Sequence, residues 1–298
     1  MRTRREFLGA ALLVSGGAVL FGERGWAGVV PPGRVAFGTR IHRLERASGG
    51  RLGVFCVDTG TGRDWGWRAY ERFPMCSTYK LLLVGAVLAG VDRGRDRLGR
   101  LVRFDARQLV AYSPVTRQHI AGGMTVEALC AAAITVSDNR AANLLLDGLG
   151  GPKVVTEFAR RLGDAKTRLD RNEPDVNECL PGDPRDTTTP AGMAHVLRAL
   201  VLGDALRPAS RALLTQWLVA DRTGAKRIHA GVPESWREGD KTGSGERGTT
   251  NDVAILWPPK GKPVLVAAYL TGAPVSREQR EATLAAVGRE VARVVERG

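Results

Sequence analysis

The sequence predicts an α/β (α+β) protein in which one sheet is assembled from strands at both ends of the chain, around a helical middle. Three observations carry this. Arg51 to Asp58 alternates around Leu52, Val54 and Cys56, and Thr59-Gly60-Thr61-Gly62 then supplies turn chemistry before a second run from Trp65 to Tyr70. From Ser77 to about Ala220 the apolar pattern is mostly helical with long loops. Strands then return at Glu238 to Ser244, Thr250 to Trp257 and Pro263 to Leu270, the last two ended by Pro258-Pro259 and Gly272. The early hairpin and the late strands need one another to make a sheet. An α/β domain of residues 34–72 and 221–298 is therefore expected to be split by an all-α domain of residues 73–220, with a cleft at the junction.

Taken in order, the chain opens with an export signal. Arg4-Arg5 precedes Phe7-Leu8, and Ala10 to Phe21 is an apolar run too short to span a membrane comfortably. Residues 1–27 are expected to be removed after twin-arginine export, leaving a secreted or periplasmic protein with no membrane partner. Residues 34–48 place Val35, Phe37, Ile41 and Leu44 at helical spacing, predicting a surface helix before the hairpin. The segment Leu81 to Ala89 is apolar on every side, so the helix that Ser77 opens must be central. Helices follow at about 125–135 and 138–149, where Asp138 can cap the second. Residues 168–186 hold three prolines and dense charge with little periodicity, an Ω-type loop. Helices resume at about 189–202 and 207–219, and residues 276–296 carry Leu284, Val287, Val291 and Val294 as an amphipathic helix.

Composition narrows the function. A chain of 298 residues, 43% hydrophobic, can bury a sizeable core. The net charge of +13 is scattered arginine rather than a basic block, and with 6% aromatics and no nucleic-acid motif it reflects a solvated surface. His42, His119, His195 and His229 have no ligand spacing, so no metal is expected, and no cofactor motif is present.

The chemistry is written in short motifs. Ser77 and Lys80 lie three apart at a helix start, so the amine can reach the hydroxyl and activate it as a nucleophile. Nine Ser and seven Lys produce about 0.2 such pairs by chance, so the pair alone decides little. Its companions decide more: Ser137-Asp138-Asn139, then Glu173-Pro174-Asp175-Val176-Asn177, then Lys241-Thr242-Gly243. This ordered set resembles the class A serine β-lactamases. The likeness runs from about residue 34 to the C-terminus and includes Tyr112-Ser113-Pro114-Val115-Thr116 and Arg185-Asp186-Thr187-Thr188.

The resemblance implies the β-lactamase/transpeptidase fold, a five-stranded antiparallel sheet with flanking helices beside the all-helical domain. It implies a monomer that acts on a small β-lactam, with no nucleic-acid partner. Ser77 would be the nucleophile, its N–H and that of Ser244 the oxyanion hole, and Lys80, or Glu173 through a water, the acylation base. Ser137, assisted by Lys241, would protonate the leaving nitrogen; Glu173 with Asn177 would activate the deacylating water. Lys241, Thr242, Gly243 and Ser244 would meet the substrate carboxylate together with Arg227, since Thr250 stands where other relatives carry an arginine. Tyr112 would wall the cleft, Asn139 bind the side-chain amide, and Arg171 and Asp186 close the neck of the Ω loop. Relatives pair a cysteine matching Cys130 with a position that is Val84 here, and one matching Cys76 with a position that is Gly245. Cys56, Cys76, Cys130 and Cys179 are therefore expected as free thiols. The rivals are a penicillin-binding sensor that is acylated without turnover and a D-Ala-D-Ala carboxypeptidase; Glu173 and Asn177 argue against both.

Overall fold

A helix without a polar face has to be packed on every side, and Leu81 to Ala89 is such a helix. The computed structural model of the protein describes residues 32–297, so the expected export signal lies outside the described residues. Among those described, no helix is long and apolar enough to cross a membrane.

The main sheet is five-stranded and antiparallel. Its strands are β1 (Arg51–Asp58), β2 (Asp64–Trp67), β3 (Arg237–Gly245), β4 (Thr249–Trp257) and β5 (Val264–Thr271), in the spatial order β2-β1-β5-β4-β3. The first and last segments of the sequence thus meet at the β1–β5 ladder, from Arg51 opposite Thr271 to Asp58 opposite Val264. Both faces of the sheet are covered, so β4 and β5 are buried along nearly their whole length rather than alternately, β5 and the second half of β4 as unbroken apolar runs. One face, with Leu52, Val54, Ala254, Leu256 and Val266, packs on α1 (Pro32–Ser48) and α8 (Arg277–Glu296). The other, with Val253, Ile255, Leu265, Ala267 and Tyr269, joins the core of the helical region.

That region is centred on α2 (Tyr79–Asp92), in which every residue from Tyr79 to Ala89 is buried. Each fully buried leucine among them contributes about 1.5–3 kcal/mol. Around it stand α3 (Val126–Thr135), α4 (Asn139–Leu149), α5 (Pro152–Arg161), α6 (Pro190–Val201) and α7 (Pro208–Val219). The helix starts follow local chemistry. Thr125, Asp138, Thr189 and Ser276 each accept a hydrogen bond from a first-turn N–H, and proline occupies the first turn of α5, α6 and α7.

Two local expectations change, and one helix was not foreseen. Ser77 does not lie in an α-helical first turn but in a 3-10 turn, Cys76–Thr78, that precedes α2 and begins with a left-handed Cys76. The second hairpin strand ends at Trp67 instead of Tyr70, because Arg68 takes a left-handed backbone and turns its guanidinium onto Glu45. Helix α5 had no individual expectation; its amphipathic signal, Val155, Phe158 and Ala159, is short and sits beside the Ω loop.

Candidate active site

Strand β3 is an edge of the sheet, and the Cys76–Thr78 turn lies directly against it. Two glycines permit that approach. A Cβ on Gly243 would come 2.8 Å from Met75 O, and one on Gly245 would come 2.6 Å from Cys76 Sγ. The third residue of Lys241-Thr242-Gly243 is thus a packing requirement.

Lys80 projects from α2 into the same space with no solvent exposure. Its ammonium donates to Ser137 O at 2.8 Å and to Asn139 Oδ1 at 2.6 Å, lies 3.3 Å from Ser137 Oγ, and pairs with Glu173 Oε1 at 3.1 Å. Burial pulls the Lys80 pKa below the ordinary lysine value, and the Glu173 carboxylate opposes that. The serine hydroxyl does not spend itself on the lysine. Ser77 Oγ donates to Glu173 Oε1 at 3.3 Å, so the carboxylate stands between hydroxyl and amine. Three positions expected to share a base are therefore brought together, with the carboxylate as the direct neighbour of Ser77.

Glu173 is held from both sides of the Ω loop. Asn177 Nδ2 donates to its Oε2 at 2.5 Å. Asn143 on α4 grips its backbone, accepting from Glu173 N at 3.0 Å and donating to Glu173 O at 2.9 Å. The sequence placed Asn143 within Ala141-Ala142-Asn143-Leu144-Leu145-Leu146, a stretch shared with the resembled family, but assigned it no role. The neck of the loop is closed as expected by Arg171 Nε on Asp186 Oδ2 at 2.6 Å, and Asp186 Oδ1 also accepts from the N–H groups of Asp170 and Arg171.

The Ser137 side of the cleft rests on Asp138. This buried carboxylate caps α4 through Ala141 N and also takes the N–H groups of Val115 and Thr116, which ties the segment bearing Tyr112 to the helix. Ser137 and Tyr112 both adopt left-handed backbone, and Tyr112 is 57% exposed at the rim. Asn139 Nδ2 is bonded to Ala111 O at 2.9 Å.

On the opposite side Lys241 is fully buried, with its Nζ 3.0 Å from Thr242 O. Desolvation brings its pKa down to about 8, an effect to which the nearby Lys80 charge adds. Thr242 Oγ1 contacts Thr223 Oγ1 at 2.5 Å. Arg227 is only 2% exposed, and it donates to Gly243 O at 2.9 Å, Asn251 O at 2.6 Å and Ser244 Oγ at 2.7 Å. The expected arginine lines the cleft, nearly buried at its wall, and it presents the Ser244 hydroxyl. Glu281 on α8, 3.9 Å from Arg227, borders the same cleft with Arg277. Neither was marked by the sequence, because a helix about 40 residues beyond β3 shows only its amphipathic period. The resulting cleft measures about 720 Å³ and is lined by Ser77, Ser137, Asn177, Thr242 and Ser244 among others.

Behind Arg227, Glu238, Asp240 and Asp252 bring carboxylate oxygens within 4.8 Å of one another, a spacing open to a cation. Burial is the largest influence on all three and raises each pKa above the ordinary carboxylate value.

With this geometry the comparisons agree. The model of the β-lactamase enzyme family matches residues 36–295. β-Lactamase AST-1 of Nocardia asteroides is 51% identical over 252 residues, covering 85% of this chain and 81% of that protein. β-Lactamase CTX-M-8 of Citrobacter amalonaticus is 47% identical over 252 residues, covering 85% of this chain and 87% of its own. Among solved structures, the class A β-lactamase of the last common ancestor of Gram-negative bacteria superposes with a TM-score of 0.86 at 57% identity, covering 87% of this chain and 99% of the other. The motifs, the fold and these relatives converge, and the chain belongs to the class A β-lactamases.

Proposed function

We propose that this enzyme hydrolyses the β-lactam amide of penicillins and cephalosporins through an ester on Ser77, conferring β-lactam resistance. One observation carries the reading: a single buried carboxylate takes the Ser77 hydroxyl on Glu173 Oε1 at 3.3 Å and Asn177 on Oε2 at 2.5 Å. A nucleophile and a water-orienting pair on one carboxylate suit a turnover enzyme better than a sensor that is only acylated.

In acylation, Ser77 Oγ gives its proton to Glu173 as it attacks the ring carbonyl, while the Lys80 ammonium replaces the proton that Ser137 passes on and is itself reprotonated by Glu173. The N–H groups of Ser77 and Ser244 receive the developing oxyanion. Ser137 Oγ, 3.3 Å from Lys80 Nζ, passes a proton to the ring nitrogen as it leaves, with the Lys241 charge nearby. In deacylation, Glu173 and Asn177 activate a water against the ester. Lys241, Thr242 and Ser244 take the substrate carboxylate, while Arg227 orients the Ser244 hydroxyl and adds positive field. Tyr112 walls the entrance and Asn139 meets the side-chain amide. Residues 1–27 fit twin-arginine export, so the same reading has the protein secreted or periplasmic, acting as a monomer. Steady-state hydrolysis of one penicillin and one cephalosporin tests it; acylation of both without turnover would replace it with the sensor reading.

Two further results are expected. Lys241 is cationic below its pKa of about 8 and loses its charge as pH rises through that value. The kcat/KM for a carboxylate-bearing substrate should therefore fall on the alkaline side with a midpoint near 8, mainly through KM. A profile flat to pH 10 would remove Lys241 from carboxylate binding. For Arg227→Ala, Ser244 loses its orienting donor, and kcat/KM should drop by about 1.5–3 kcal/mol, the worth of a hydrogen bond to a charged group. Unchanged kcat/KM for every substrate would leave Arg227 a packing residue.

A further inference from the structure

All four cysteines are free and buried, yet two of them touch: Cys76 Sγ and Cys179 Sγ are 3.4 Å apart across 103 residues of sequence. Cys76 precedes the nucleophile turn, and Cys179 follows Asn177 on the Ω loop. The contact is built into the fold. A Cβ at Gly245 would fall 2.6 Å from one sulfur and 2.7 Å from the other, so glycine on β3 is what leaves room for the pair. Both cysteines also hold left-handed backbone, with φ of 45° and 53°.

The two thiols are not equivalent. Cys76 has no exposure, whereas Cys179 is 6% exposed and lines a second cavity of about 460 Å³ on the far side of the Ω loop. That cavity is also lined by Arg51, Arg72 and Arg247. Its one acidic side chain, Asp183, is held by Arg185, and Arg51 pairs with Glu71 outside it. The hydrogen bond from Cys76 pulls the Cys179 pKa down, which favours the thiolate on the one cysteine that lines the cavity.

We propose that Cys179 is a thiol-exchange site for a small acidic disulfide bound in this arginine-lined cavity, and that Cys76 resolves the adduct to a Cys76–Cys179 bridge. Cys179 thiolate attacks one sulfur of the incoming disulfide; that S–S bond breaks and the departing thiolate takes up the proton Cys179 released. Cys76 then attacks the Cys179 sulfur and expels the second small thiol, which takes up the proton that Cys76 gives off. Two protein thiols are oxidised and one disulfide is reduced to two thiols, so electrons and atoms balance. The arginines select the reagent by charge, and the bridge ties the Ω loop to the turn carrying Ser77. Cys56 and Cys130 take no part, because both are wholly buried and neither lines the cavity.

The test uses the purified, folded chain with oxidised glutathione, which is net negative, and cystamine, which is net positive. Samples are read by non-reducing intact mass and peptide mapping. The parent should lose two hydrogens, with the bridge mapping to the Cys76 and Cys179 peptides. Cys76→Ser should instead accumulate one glutathione on Cys179, and Cys179→Ser should do neither. Oxidised glutathione should react at least tenfold faster than cystamine, and Arg247→Ala should reduce that ratio several-fold. Because the parent chain alone reports the bridge, misfolding of a variant does not rescue the idea. No bridge in the native parent, a bridge or adduct at Cys56 or Cys130, or cystamine reacting as fast as glutathione would each overturn it.

Discussion

Glu173→Ala is expected to trap a penicillin on Ser77. Deacylation has to activate a water against an ester already closed from solvent, and Glu173 with Asn177 on its Oε2 is the group placed to do it. Removing the carboxylate should lower turnover by about 10²–10⁴-fold, the usual weight of a general base. Acylation should persist, for a reason that lies in the neighbouring charge. The Glu173 carboxylate raises the Lys80 pKa against the downward pull of burial, so its loss lets the amine become neutral more readily and serve Ser77 as base. Intact-protein mass spectrometry should find a persistent adduct on the variant and none on the parent after the same incubation. A parent that itself keeps the adduct for hours would make the protein a sensor rather than a hydrolase. A variant that never acylates would instead make Glu173 indispensable to the first step.

Lys80→Ala should be damaging twice over. The Lys80–Glu173 pair has neither side chain exposed, and its geometry is good at 3.1 Å. Taking away the cation leaves a carboxylate buried without compensation, a loss of about 3–5 kcal/mol when one partner of such a pair is removed. Urea unfolding at neutral pH should show that loss, and hydrolysis should fall by about 10²–10⁴-fold as the proton route between Ser77 and Ser137 is cut. The double change Lys80→Ala with Glu173→Gln removes the charge on both sides. It should recover a large part of the stability and none of the activity, since the two measurements depend on different properties of the pair. If Lys80→Ala unfolds at the same urea concentration as the parent, the pair is not the electrostatic anchor its burial suggests.

Local sequence determined a good deal of this protein. The unbroken apolar run from Leu81 to Ala89 could only become a central helix, and it is buried along its length. The runs ended by Pro258-Pro259 and Gly272 became the inner strands β4 and β5. The order of Ser77, Lys80, Ser137, Glu173 and Lys241 named a chemistry, because each motif couples residue types that such chemistry requires. Tertiary structure decided which of those groups touch. Ser77 meets Glu173 although Lys80 is its neighbour in sequence, because a 3-10 turn replaces the expected first helical turn and the Ω loop delivers a carboxylate from 96 residues away. Arg227 spends its guanidinium on the Gly243 and Asn251 carbonyls and the Ser244 hydroxyl at the cleft wall, Asn143 grips the Glu173 backbone, and Cys76 finds Cys179 instead of a partner at Gly245. Periodicity and composition report how a segment relates to its own axis and to water. They carry no information on the ångström-scale distance between side chains that only the packed sheet and helices bring together.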